Sequence, residues 1–509
     1  MTSAGRYPRI PAIIGMGCLG LLVGFLSSLS ISGLLALAIL AGSIMIVCVS
    51  VVAIEFRLYG DILTAAGLAA VAACAFFVVR PVGVLLEGST TAGAMADSRY
   101  LSASLSDALT NSLHQALLFL VACFGVYWLL TANRGGDGIR ERVKRRSAVR
   151  GPVWTPSADV TRWAVVVASA VALICVVVLV SRAGGIGGYF GQIANRSSYL
   201  RGSNYLVYSY LPLLASCVVH ILSRRRESLA PGLIAYVGVS CLFIVTFVSG
   251  GRGPLIFGGL IPMLLVFQTG KRPLSIGKLV GVLAIGAVGA MAYSVKFRES
   301  QFATGDQLGG GASISPSYLF ERFMAGTELR PVDSLIRLNE ANSVGQLDFQ
   351  NGSTYAASLA WFVPRAAWAS KPGGGANTWF TQRYLPRFYG SERVETSISA
   401  VGEAFANFSW LGVIVAGMAF GLALFGLRRS LVRSDRVFQS SIVIVCTPYV
   451  VSLMRGDLYQ NLGQVVVLIC IVAALCWIGD VRSKADRVLE TKSVGIVRGS
   501  FGTSEPVMR

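Results

Sequence analysis

The residues best equipped for chemistry in this chain are a handful of arginines and carboxylates set at the ends of long apolar runs. Arg196, Arg201 and Arg252 stand in short polar segments with few acids nearby. A guanidinium keeps its charge and presents a planar fork that grips phosphate oxygens two at a time, so such a set suits a diphosphate. Arg252 lies in Ser249-Gly250-Gly251-Arg252-Gly253, where glycines let backbone N–H groups approach an anion closely. The segment lacks the Lys-Ser/Thr ending of a nucleotide P-loop. Any one of these arginines is also explained by solvent or a lipid phosphate, Arg201 as readily as by a ligand. Lys296, Arg298 and Glu299 form a charged exit from another apolar run, a pattern that membrane anchoring alone also produces.

Glu403, in Gly402-Glu403-Ala404-Phe405-Ala406-Asn407-Phe408, falls a few residues inside an apolar run. A carboxylate there is costly unless it faces a polar cavity or a partner. It is either a general base or the group that fixes an arginine, the second being favoured. Arg455-Gly456-Asp457 separates the last two runs; the pair either lines the same cavity or stabilises a turn. His114 and His220 fall at opposite ends of their runs and make no joint site. The ten cysteines all lie within apolar runs without metal-ligand spacing, so they read as small buried hydrophobes.

The elements that must position these groups are membrane helices. Hydrophobic residues make up 54% of the 509 and charged residues 14%, against about a quarter charged in soluble domains. Many runs approach the roughly 20 residues needed to cross a bilayer, and in lipid only helices of that length satisfy their own backbone. The expected fold is all-α: one integral membrane domain over 1–509, a polytopic bundle of about twelve spans. These fall near 10–28, 32–54, 61–83, 113–131, 162–182, 204–222, 231–249, 254–270, 275–296, 398–427, 437–454 and 460–479. A net charge of +19 is distributed as clusters at run ends (Arg134 to Arg150, Arg224 to Arg226, Lys271-Arg272, Arg428 to Arg436, and the tail from Arg482). With both termini cytoplasmic, every strong cluster falls on one side, as the positive-inside bias requires. That distribution speaks for topology and anionic lipid, not for nucleic acid.

The opposite side then holds 84–112, 183–203, the Arg252 turn and a large loop, 297–396, between spans 9 and 10. A loop that long is usually functional or carries structure of its own, and short helices packed on the membrane surface are expected. It has nine basic and nine acidic residues, so it is a mixed polar surface with aromatics and not an electrostatic funnel. That composition suits sugars, though packing explains the aromatics equally well. The polar tail over 480–509 is expected to be a disordered cytoplasmic segment.

Several of these pieces resemble the O-antigen polymerase family: Val248 to Ile256 (VSGGRGPLI) leading into a span, Phe362-Val363-Pro364-Arg365 followed by Lys371-Pro372, and Ser397 to Gly421. Arg455-Gly456-Asp457 fits as well, and the order, with a large loop before Glu403, matches the family's layout. The first four spans add only hydropathy. The resemblance implies a glycosyltransferase of the bacterial inner membrane that moves a growing glycan from one undecaprenyl diphosphate onto another lipid-linked oligosaccharide at the outer face. It implies no nucleotide or metal cofactor. Its expected partners are that lipid-linked oligosaccharide and membrane lipids, with a chain-length regulator and a flippase as further candidates. Under it, Arg252, Glu403 and Arg298 are the catalytic candidates, and Arg196, Arg201, Arg365, Arg455 and Asp457 bind substrate.

Three rivals remain. An O-antigen ligase usually offers a histidine in the large loop, and 297–396 contains none. A multi-span lipid-linked-sugar glycosyltransferase places an acidic pair in the first external loop, yet Ser28 to Ser32 has no acid. A flippase or transporter commonly shows two related halves, which this chain lacks.

Overall fold

The computed structural model describes residues 34–59, 63–79, 81–82, 105–132, 156–192, 199, 204–224, 232–248, 253–268, 331–361, 363, 367–368, 370–371, 374–386, 396–432 and 437–499, with isolated positions 24 and 281. Among the described residues every regular element is a helix. In chain order they are α1 (Leu34–Tyr59), α2 (Ala65–Cys74, continued by a π-helical turn, Ala75–Val79), α3 (Leu105–Ala132), α4 (Ala158–Arg182), α5 (Tyr210–Arg224) and α6 (Leu233–Val248). There follow α7 (a π-helical start, Pro254–Leu260, running into Ile261–Gln268), α8 (Pro331–Ser343), α9 (Ser353–Ala360), α10 (Ala376–Tyr384), α11 (Ser399–Val432), α12 (Val437–Leu453) and α13 (Leu458–Gly499). Two short turns, Ile186–Gln192 and Asn204–Val207, precede α5.

Six helical stretches are long and apolar enough to cross a membrane: Leu35–Phe56, Asp107–Thr131, Ala158–Arg182, Tyr205–Arg224, Ser399–Ser430 and Leu458–Gly479. Four shorter apolar helices, Ala65–Val79, Leu233–Val248, Pro254–Val266 and Val437–Leu453, fall where further spans are expected from hydropathy. The chain is therefore a multi-pass helical membrane protein. The runs at 10–28 and 275–296 lie almost wholly outside the described residues, as do much of 297–396 and the basic loop from Arg134 to Arg150. The stretch expected to be a disordered tail is helical as far as Gly499, because α13 continues past the membrane-length segment. From Ser483 to Val494 half of the residues (Lys484, Ala485, Arg487, Leu489, Glu490 and Lys492) are good helix formers and there is no glycine or proline, which lets the helix continue.

α3 and α11 form the closest pair, and small residues explain it. A side chain at Gly417 would sit 2.5 Å from the Phe119 carbonyl oxygen, and one at Gly421 would sit 2.2 Å from that of Cys123. This small-xxx-small spacing lets the two backbones touch. Phe119 and Phe420 then interleave at 5.7 Å between ring centres. Because 119 meets 417 and 123 meets 421, the two helices run in the same direction. Near their far ends Tyr127 donates to Glu55 Oε1 of α1 (2.7 Å), while Arg428 donates to Tyr127 (3.2 Å) and Thr131 (2.8 Å). Three helices are thus clasped by charged groups that would be expensive in lipid on their own.

α5 is the central helix, buried against α4, α6, α12 and α13. Tyr210 at its start packs its ring on Gly258 of the π-helical turn and donates to Gln464 Oε1 of α13 at 3.0 Å. Its hydroxyl also meets that of Tyr449 in α12 at 3.3 Å. α4 lies at the rim, where Val166, Val167, Val171, Ile174 and Val177 are exposed as a lipid-facing stripe. Of three short helices from the 297–396 region, α8 packs on α3 and α11, α9 packs on α13 and α11, and α10 is tied to the start of α13 through Asp457.

Candidate functional site

The site is built where α11 breaks. Phe408 (φ −138°, ψ 24°) and Ser409 (φ 56°, ψ −148°) leave helical geometry, so residues 399–407 form a short segment with its own axis. Ser409 occupies a region that disfavours any side chain, and such strain persists only where surrounding contacts hold it. A break in a membrane helix also frees backbone groups that must find partners. Gln350 N–H donates to the Ala406 carbonyl (2.9 Å), so the loop before α9 partners one of them, and Gly352 N–H donates to the Asn407 side-chain Oδ1 (2.8 Å). Beyond the break the chain folds back tightly: a side chain at Gly412 would lie 2.3 Å from the Ala404 carbonyl oxygen.

Glu403 sits on this segment and is 2% exposed. Its Oε1 accepts from Thr354 of α9 (2.9 Å) and its Oε2 accepts from Leu458 N–H at the start of α13 (2.8 Å). Asn407, one turn on, donates to Thr354 Oγ1 and to the Glu403 carbonyl, both at 2.8 Å. Asp457, 1% exposed, stands beside Leu458 in sequence. Its Oδ2 accepts from Asn377 N–H of α10 (3.0 Å) and its Oδ1 from Gln460 N–H (3.4 Å). Asp457 therefore caps α13 and reaches the first turn of α10 at the same time. The amino ends of two helices, each carrying partial positive charge, converge on this acid pair.

Further ties fix the surround. Asn377 Oδ1 accepts from Ile398 N–H (2.9 Å), Ser399 N–H donates to the Arg455 carbonyl (3.1 Å), and Ser334 of α8 donates to the Ser397 carbonyl (2.7 Å). Gly375 must be glycine, since a side chain would meet Asp457 Oδ2 at 2.4 Å and Tyr459 Cβ at 2.3 Å. Lys371 donates to the carbonyls of Trp361 (2.8 Å) and Val363 (3.1 Å), closing the carboxyl end of α9. Trp361 in turn lies over Gly463 of α13. Burial, and secondarily the Glu403 carboxylate, push the Tyr355 phenol above its usual range, which keeps it neutral beside the site.

Of the residues singled out from sequence, Glu403, Arg455 and Asp457 are brought to one place. Arg196, Arg201, Arg252, Arg298 and Arg365 lie outside the described residues. Thr354, Asn377 and Asn407 hold the acids yet give little signal in sequence, being neutral. The four-residue spacing of Glu403 and Asn407, which puts both on one helix face, is the clue available for one of them.

Fold and site together define a multi-pass helical membrane protein with a buried acid pair organised by short helices at one end of its bundle. A family model described as O-antigen polysaccharide polymerase Wzy matches residues 157–483, more than half of the chain. The chain belongs to that family of polysaccharide polymerases, and the match takes in both acids and the short helices around them. No curated protein and no solved structure gave a match.

Proposed function

We propose that this chain joins undecaprenyl-diphosphate-linked oligosaccharide repeat units into a surface polysaccharide at the outer face of the bacterial inner membrane, with both termini cytoplasmic. The observation that carries the proposal is the convergence of α9, α10 and the start of α13 on Glu403 and Asp457 within the region matched by the family. In the reaction an acceptor hydroxyl oxygen bonds to the donor's anomeric carbon as the bond from that carbon to the lipid diphosphate breaks. The hydroxyl proton must leave and the diphosphate must be stabilised as negative charge develops on it.

Within this reading Arg252 and Arg298, with Arg196, Arg201, Arg365 and Arg455, hold the diphosphate through paired N–H donors. Glu403 and Asp457 orient those arginines, and Glu403 is the candidate to take the hydroxyl proton. The short helices fix both acids before substrate arrives, which is how a site gains from electrostatics without reorganising during the reaction. A deletion strain provides the test. Lipid-linked glycan that collapses to a single repeat unit supports a polymerase. Intact long chains that are no longer transferred to their acceptor point to a ligase, and units retained inside point to a flippase.

A further inference from the structure

A second polar feature lies at the same end of the bundle as the acids. α8 ties the start of α3 to the Glu403 segment, since Asn339 bonds with Ser112 and Gln115 of α3 while Leu338 reaches toward Gly402. There a cavity of about 400 Å³ opens between α3 and α8, lined by Asp107, Ala108, Thr110, Asn111, Asn339 and Ser343. Its volume falls in the range of roughly 300–1,000 Å³ usual for small-ligand sites. α8 is the shared wall. Leu338 reaches toward Gly402, the residue before Glu403, while Asn339 lines the cavity, which places it about one helix width, roughly 10 Å, from the acid centre.

The base of the cavity is preformed. Asn339 and Gln115 exchange two amide hydrogen bonds (2.9 and 3.0 Å), and Asn339 also donates to Ser112 Oγ (3.1 Å) and the Leu335 carbonyl (3.0 Å). Around it, among the described residues, stand a carboxylate, two hydroxyls and a second amide beside Ala108. Among the described lining residues the charged group is the Asp107 carboxylate, which disfavours a phosphate. Apolar surface lines it beside these polar groups, as suits a sugar ring with C–H faces between its hydroxyls. Mixed donors and acceptors at short spacing suit the vicinal hydroxyls of a neutral sugar.

We infer that this cavity is a saccharide subsite, which seats a sugar of the glycan at a fixed distance from the point where units are joined. The inference rests on the polymerase reading for its ligand, and binding can be measured apart from polymerisation. The probe is the lipid-free oligosaccharide of one repeat unit, and a two-unit oligomer, titrated calorimetrically against the purified full-length protein. Asn111→Trp fills the cavity, and Thr110→Val removes one hydroxyl at constant shape in case the larger change prevents folding. Binding to the wild type that weakens at least tenfold in Asn111→Trp and severalfold in Thr110→Val supports the subsite. Binding of the single unit then assigns it to the acceptor, and binding confined to the two-unit oligomer assigns it to the growing chain. No measurable binding, or equal affinity in wild type and both variants, overturns it. Saccharide binding lost in the variants, by a protein whose deletion leaves long polymer intact, keeps the subsite and removes the polymerase reading.

Discussion

Replacing Thr354 by Val removes one hydroxyl at nearly constant shape. That hydroxyl donates to Glu403 Oε1 and accepts from Asn407 Nδ2, and it is buried. A hydrogen bond to a charged group contributes about 1.5–3 kcal/mol and a neutral one about 0.5–1.5 kcal/mol. Losing both therefore costs roughly 2–4 kcal/mol, with the upper part reached if no water enters. For a chain of this length each kcal/mol moves a melting midpoint by roughly 1–2 °C, giving a fall of roughly 2–8 °C. The assay is thermal unfolding of purified protein in detergent, with polymer formation measured in parallel membranes. Thr354→Ser keeps the hydroxyl and should restore both midpoint and activity to near wild type. If Thr354→Val melts with the wild type and makes normal polymer, the hydroxyl does not organise Glu403 and the reasoning from that network fails.

Other expectations follow from other parts of the bundle. Gly421→Leu forces a side chain against the Cys123 carbonyl, 2.2 Å from the ideal Cβ, and should separate α3 from α11, seen as sharply reduced folded yield by fluorescence-detected size exclusion. Tyr210→Phe leaves Gln464 and Tyr449 without the hydroxyl they share, a cost of about 1–3 kcal/mol readable as a lower melting midpoint. Glu340 of α8 has its carboxyl raised from the usual 4.5 by burial, with Arg337 opposing. The folded chain then holds that proton more tightly than the unfolded one, so this group's contribution to stability falls as pH rises above about 4.5. Glu340→Gln should accordingly melt higher than wild type at neutral pH, with the difference shrinking on acidification to pH ~4.

Hydropathy made most of the membrane architecture readable. Runs such as 162–182 and 460–479 are apolar for a full bilayer thickness, and lipid allows such runs little besides helix. Shorter elements such as Pro254–Val266 also fall where hydropathy expects them, though their π-helical start is not readable from composition. Glu403 and Asp457 stood out as acids in or beside apolar runs. Their neighbours did not, since Thr354 and Asn377 are ordinary loop residues until tertiary contacts bring them to the acids from 49 and 80 positions away. The break at Phe408 and Ser409 was likewise invisible: neither residue is Gly or Pro, and the conformation is imposed by the packing of Gly412 and Gly352 around it. The sequence from 480 onward is polar, which reads as disorder, and α13 continues through it as far as Gly499.

The acid centre is tested most directly by Glu403→Gln, which keeps the side chain's shape and removes its ionisable carboxyl. Membranes carrying equal amounts of wild-type or variant protein are supplied with lipid-linked repeat units, and the products are resolved by length. A ladder that shrinks to the single unit in the variant, with unchanged protein level, is the predicted result. A ladder of wild-type length and yield would show that the buried carboxylate takes no part in joining the units.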